Sequence, residues 1–276
     1  MDFKEKITLG RTGLRVGRLG ISSSYGAPAK AFEEAFERGC NYFNMGSFIK
    51  GRSKEMIKAI KNITAKGKRD ELVVAIYDYT HSPLIGQKHF MKGLRKMGLE
   101  YVDELMLGYY SGLPRKSVMN WAIRLKEQGL ARYLGVSSHN RKVFAELTRD
   151  GLVDVYHVRY NAVNSGAEKD VFPLLPTENK PGIVVYTATR WGQLLKEKKM
   201  PAGEKPLTAT ECYRFVLSNP SVDLCMTGAR SLEMMRENLE TLNLGPLTED
   251  EMARIRGIGD FIYGKKRDYD LPREKK

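Results

Sequence analysis

The feature that most constrains this chain is an alternation. Short apolar, strand-like runs at 18–22, 41–44, 72–77, 104–107, 133–137, 153–159, 183–187 and 223–226 are each followed by a helical pattern. Those helical patterns cover 30–38, 53–65, 87–97, 116–128, 141–150, 168–175, 208–218 and 231–242. Parallel strands need crossover connections, usually helical, so the pattern calls for a parallel sheet with helices packed outside it. Eight such units at a pitch of about 30 residues favour a closed (β/α)8 TIM barrel over an open, doubly wound sheet.

Local chemistry supports the boundaries. Thr208 with Glu211, and Thr248 with Glu251, have the spacing of capping boxes, in which hydroxyl and carboxylate satisfy each other's orphan amides. Gly39, Gly98, Gly129 and Gly151 each fall just past a helical pattern, where a left-handed residue is wanted. The opening segment 7–16 reads as a β-hairpin with a Gly-containing turn, 247–264 as an additional helix, and 265–276 as a basic tail. No linker divides residues 1–264, which are expected to form one barrel domain.

Composition narrows the function classes. Of 276 residues, 42% are hydrophobic and 29% charged, ordinary for a globular chain. No apolar run approaches the roughly 20 residues of a membrane span, and the opening MDFKEKITLG has no signal-peptide core. Cys40, Cys212 and Cys225 are odd in number and far apart, as expected of free thiols in a reducing cytoplasm. The net charge of +13 raises a polyanion as partner, but the basic residues are spread and no nucleic-acid-binding module accompanies them. A small-molecule substrate is expected, with neither nucleic acid nor membrane as partner, on a monomer or weak homo-oligomer. Four histidines and scattered carboxylates offer no metal-ligand spacing.

In barrels of this type the site lies at the C-terminal ends of the strands. The candidate segments are therefore 22–25, 44–49, 77–81, 108–110, 137–140, 157–161, 186–191 and 227–230. The last unit is the most specific. Gly228 ends a strand, Ser231 caps a helix, and the first-turn amides face the barrel mouth, an arrangement suited to an anion. Arg230 adds a cation with a bidentate fork, and Asn238 follows two turns later.

The whole chain resembles an aldo-keto reductase. Gly135-Val136-Ser137-Ser138 resembles the family's GVSN ending of strand five, and Tyr156-His157-Val158-Arg159-Tyr160-Asn161 its N-Q-x-x-Y-N segment. Tyr186 stands where an aromatic residue stacks on nicotinamide. Thr227-Gly228-Ala229-Arg230-Ser231 through Asn238 resembles the loop that holds adenosine and its 2′-phosphate. The resemblance implies NADP(H) as cofactor, held by Ser137, Ser138, His157, Tyr186, Thr187, Arg190, Thr227, Gly228, Ala229, Arg230, Ser231 and Asn238. Arg230 speaks for NADP over NAD, because a 2′-phosphate needs a cation.

The same alignment departs from the family in its chemistry. The family's Asp, Tyr, Lys and His tetrad falls on Asn44, Phe48 (or Ile49), Tyr77 and Gly108. The change is coherent, since a barrel interior that loses a buried Lys has no use for its Asp partner. Tyr77, Tyr109 and His157 are the candidates for a substitute proton donor. Three readings follow: an NADP(H)-dependent oxidoreductase of unknown carbonyl or alcohol substrate with an atypical site; a non-catalytic NADP(H)-binding regulatory or sensor protein; or a lyase, isomerase or hydrolase that reuses the mouth with His157 and Arg159.

Overall fold

The computed structural model describes residues 2–46 and 52–264, with no side chain described for Ser24. Strands β3 (Leu19–Ser22), β4 (Tyr42–Met45), β5 (Val73–Asp78), β6 (Val102–Tyr110), β7 (Ala131–Ser138), β8 (Val155–Arg159), β9 (Gly182–Tyr186) and β10 (Leu224–Thr227) are all parallel. They close into the expected barrel, β10 pairing with β3. Ahead of it, β1 (Ile7–Thr8) and β2 (Arg15–Val16) form the antiparallel hairpin.

Two cores result from the two faces of the strands. The outer one packs strand residues such as Val74, Ile76, Leu105, Leu107 and Val136 against the helices. The inner one collects Tyr42, Val73, Ala75, Val155, Val184 and Leu224 with Leu9, Leu14 and Val16 of the hairpin. The hairpin therefore plugs the N-terminal end: the Arg11 amide donates to the Lys180 carbonyl at 2.7 Å, just ahead of β9. Its side chain donates to the carbonyls of Gly151 and Val153, just ahead of β8. The barrel interior opens at the other end, at the C-terminal ends of the strands.

The helices around the barrel are α1 (Ala29–Glu37), α2 (Lys54–Ala65), α3 (Pro83–Met97), α4 (Lys116–Glu127), α5 (Lys142–Asp150), α6 (Ala167–Asp170), α7 (Ala209–Leu217), α8 (Leu232–Leu239), α9 (Thr241–Leu244) and α10 (Glu249–Gly264). Both capping boxes form, and the four glycines expected past helix ends have positive φ. Three helices differ from expectation. The helix expected at 87–97 begins at Pro83, because Ser82 caps it, accepting from the Ile85 amide at 3.5 Å, and proline at the first turn loses no hydrogen bond. The one expected over 168–175 is only α6 followed by a 3-10 turn at Phe172–Leu174, since Pro173 has no N–H with which to continue it. The segment 231–242 is split between α8 and α9. Among the described residues no helix is long and apolar enough to cross a membrane. The expected basic tail, and Phe48 and Ile49, lie outside the described residues.

Candidate active site

A cleft opens at the C-terminal end of the barrel, lined by Ser22, Asn44, Tyr77, Tyr79, Met106, Tyr109, Ser137, His157, Tyr186 and Met226. Strand register explains the set. Ser22 pairs with Asn44, Tyr77 with Met106, and Ser137 with His157. Side chains alternate along each strand, so these inward positions form one layer at the mouth. Of the expected catalytic candidates, Tyr77, Tyr109 and His157 all reach it, as do Ser137 and Tyr186 from the expected cofactor set.

Aromatic rings form one wall. Tyr77 stacks on Tyr79 at 4.8 Å between centroids, Tyr79 lies 4.8 Å from Tyr109, and Tyr109 meets His139 edge-on at 5.3 Å. His139 in turn stacks on Tyr186 at 5.9 Å. The chain turns sharply to build this wall. The β6–β7 pairing shifts register between Leu107 and Tyr110, and Tyr109 takes a left-handed φ of 58°. Gly108 is required here, because a Cβ would lie 1.7 Å from Tyr79 Cε1. The Tyr79 ring thus fills the space that a side chain at 108 would use. Burial pushes the phenols of Tyr79 and Tyr186 well above their ordinary range, Tyr186 despite the opposing Ser137 hydroxyl.

Below the cleft lies a polar group that sequence reasoning missed. Glu104, on β6, is fully buried inside the barrel. Its Oε1 is 2.5 Å from His157 Nε2, and its Oε2 accepts from the Tyr42 hydroxyl at 2.7 Å. Tyr42 Oη is also 3.4 Å from His157 Nε2, so the three side chains form a closed triangle. Burial, then the neighbouring Glu104, push the Tyr42 phenol well above its ordinary range, leaving it a neutral donor. The signal that finds Glu104 is its spacing: 104, 106 and 108 alternate on β6, so Glu104 points inward with Met106.

Asn44 supplies a different feature. It is 5% exposed, it lines the cleft, and its Oδ1 is buried with no hydrogen-bond partner. An orphaned acceptor at a cleft wall is suited to an N–H or O–H of a bound molecule.

The remaining expected cofactor residues lie around the rim or beneath it. Ser138 Oγ is turned into the β7–α5 loop, donating to the Tyr110 carbonyl at 2.5 Å and accepting from the Asn140 amide at 2.9 Å. Thr187 and Arg190 sit in a loop with positive φ at both positions, joined by the Arg190 amide donating to the Thr187 carbonyl. Thr227 is buried and donates to the Tyr213 hydroxyl at 2.8 Å. Gly228 lies directly under the Tyr25 ring, where a Cβ would be 2.2 Å from Cδ2. Ala229 is buried, whereas Arg230 is exposed. Ser231 caps α8 by accepting from the Met234 amide at 3.1 Å, and Asn238 donates to the Gly228 carbonyl at 3.3 Å, holding the turn. The Glu233 carboxylate occupies that same turn, its pKa lowered by its own backbone amide and the Ser231 hydroxyl.

A model of the aldo/keto reductase family matches residues 6–209. The chain is also similar to the "uncharacterized oxidoreductase YqkF" of Bacillus subtilis (strain 168), with 22% identity covering 87% of this chain and 90% of that one. Among solved structures it is similar to the holo form of aldo-keto reductase AKR11C1 from Bacillus halodurans, with a TM-score of 0.75, 21% identity, and coverage of 92% and 96% of the two chains. It is similar as well to the thermostable aldo-keto reductase Tm1743 in complex with the inhibitor epalrestat, with a TM-score of 0.73, 22% identity, and coverage of 92% and 99%.

Proposed function

The chain belongs to the aldo/keto reductase family, and from that premise we propose that it is an NADP(H)-dependent oxidoreductase acting on a carbonyl or alcohol substrate in the mouth cleft, with an atypical proton path. The observation that carries this reading is the meeting of two features at one barrel end. One is the Ser231-capped start of α8 beside the exposed Arg230; the other is the cleft, bordered by Tyr186 and the unpartnered Asn44 Oδ1. These residues fit the cofactor. When bound, NADP(H) supplies or takes up hydride at its nicotinamide ring.

The protein's part is binding, orientation and the proton. Arg230 offers its fork to the 2′-phosphate, Ser231 and Asn238 hold the turn in place, and Tyr186 presents a ring face to nicotinamide. Thr187 and Arg190 extend this run along the β9 loop. Asn44, Tyr77 and Gly108 stand where the resemblance places Asp, Lys and His, and Phe48 or Ile49, outside the described residues, where it places Tyr; the described wall is neutral and aromatic. That replacement favours a second reading, an NADP(H)-binding regulatory or sensor protein without turnover.

Calorimetric titration with NADPH and NADH, followed by a panel of aldehydes, ketones and alcohols with nicotinamide absorbance as readout, separates the two. Selective NADPH binding with turnover is expected. Binding without turnover establishes the sensor reading, and no binding overturns both. Arg230→Ala should weaken NADPH about tenfold, the worth of one charge-assisted contact, while changing NADH little; equal losses would refute the 2′-phosphate role.

A further inference from the structure

We propose that His157 is the proton donor and acceptor of this cleft, with Glu104 and Tyr42 as the positioning residues that hold its ring. The inference rests on the oxidoreductase reading above and deepens it.

The geometry begins with a glycine. Glu104 and His157 sit on β6 and β8, strands that are not neighbours, and β7 runs between them. At the intervening inward position stands Gly135, where a Cβ would lie 2.0 Å from Glu104 Oε1 and 3.3 Å from His157 Nε2. Only the missing side chain lets carboxylate and imidazole meet across the middle strand. A carboxylate this deeply buried is costly unless its oxygens are paired. Both are, one by Tyr42 and one by His157. The bond to Nε2 fixes the ring orientation and places a proton on that nitrogen.

The consequence falls on the other nitrogen. Among the described residues the hydrogen bonds of His157 run through Nε2, and its ring borders the cleft, so Nδ1 is the nitrogen we assign to the ligand. Among the described residues the ionisable groups around this space are Glu104 and Tyr42 beneath, Tyr77, Tyr79, Tyr109, His139 and Tyr186 along the wall, and Arg159 two residues on along β8. Tyr79 and Tyr186 are held neutral by burial. Tyr109 is half exposed on a strained turn. Among the described residues no Lys lines the cleft to acidify a phenol.

In the reduction direction the Nδ1–H bond of the imidazolium breaks as an O–H bond forms on the substrate oxygen, while the carbonyl carbon receives hydride from the nicotinamide cofactor. The ring is left neutral, its remaining proton on Nε2 facing Glu104, and is reprotonated by water at the mouth. Alcohol oxidation runs the same transfers backwards, Nδ1 accepting the hydroxyl proton.

The test uses the full-length protein, His157→Gln and Glu104→Gln, with two readouts. The first is nitrogen NMR of the ring without cofactor, assigned by the signal lost in His157→Gln; the sequence holds only four histidines. We expect the wild-type ring to show a protonated Nε2 donating to a carboxylate, and Glu104→Gln to lose that signature. A wild-type ring with Nε2 bare and its proton on Nδ1 overturns the proposal. The second readout is the pH profile of turnover with NADPH. His157→Gln should lose about 100-fold or more in kcat at saturating NADPH and lose the pH limb, while Glu104→Gln should lose about tenfold with the limb displaced. If the wild type turns over and His157→Gln keeps its kcat, the proton role fails and the oxidoreductase reading stands. If the wild type binds NADPH but turns over nothing on the panel, both fail. An unmoved pH profile in Glu104→Gln removes Glu104 from its positioning role.

Discussion

Gly108→Ala tests the packing of the mouth wall. The new Cβ would lie 1.7 Å from Tyr79 Cε1 and 2.0 Å from Cδ1, whereas carbon atoms pack at about 3.5–4.0 Å. The ring must therefore retreat by about 2 Å, yet it is clasped between Tyr77 and Tyr109 at 4.8 Å each. Disturbing two aromatic pairs costs about 1–3 kcal/mol, and overpacking strain adds about 1–3 kcal/mol. A loss of about 3 kcal/mol, near the low middle of that sum, should appear as a lower urea midpoint with an unchanged slope. Tyr79→Ala removes the obstacle, so adding Gly108→Ala to it should cost little, a coupling of about 2 kcal/mol in the double-mutant cycle. Strict additivity would refute the reasoning, because it would mean that the ring does not own the space at position 108. Gly108→His meets the same ring, so it should be destabilising in the same way and should not raise turnover.

Asp78 is buried with Oδ1 unpartnered, and burial raises its pKa above the usual carboxylate range. A raised carboxyl pKa is a penalty on the folded state at neutral pH that disappears as acid protonates the group in both states. Asp78→Asn, which still accepts from Thr80, should therefore raise the urea midpoint at pH 7 and converge with wild type below about pH 4; a gain that persists in acid would refute this. Glu233→Gln removes an exposed carboxylate from the turn beside Arg230 and should tighten NADPH about threefold at low salt with NADH unchanged. An equal gain for both dinucleotides in a calorimetric titration would separate Glu233 from the 2′-phosphate.

What the sequence makes legible here is what repeats or is local. Strand–helix alternation is a periodic signal carried by many residues, so the closed barrel survives errors at single boundaries, such as the early start of α3 under its Ser82 cap or the stop at Pro173. The rim of the site is legible for the same reason, because topology alone puts Asn44, Tyr77, Ser137, His157 and Tyr186 at one end of the barrel. The Glu104–His157 pair is of another kind. Its members are 53 residues apart, on strands that never touch: Glu104 reads as the polar start of a strand, and His157 as one of three candidate proton donors with no partner named for it. Neither local propensity nor periodicity encodes their meeting, which depends on the stagger of three strands and on an absent side chain between them. Gly135 is the residue in which that meeting is written. A strand interior pays in backbone entropy for glycine and gains no packing from it, so a glycine in the inward series of a barrel strand implies that something from a flanking strand fills its place. At Gly108 the filler is a tyrosine that closes the wall, and at Gly135 it is a carboxylate that reaches a histidine. The inward glycines therefore connect the pattern that gives this fold to the chemistry that the fold alone does not determine.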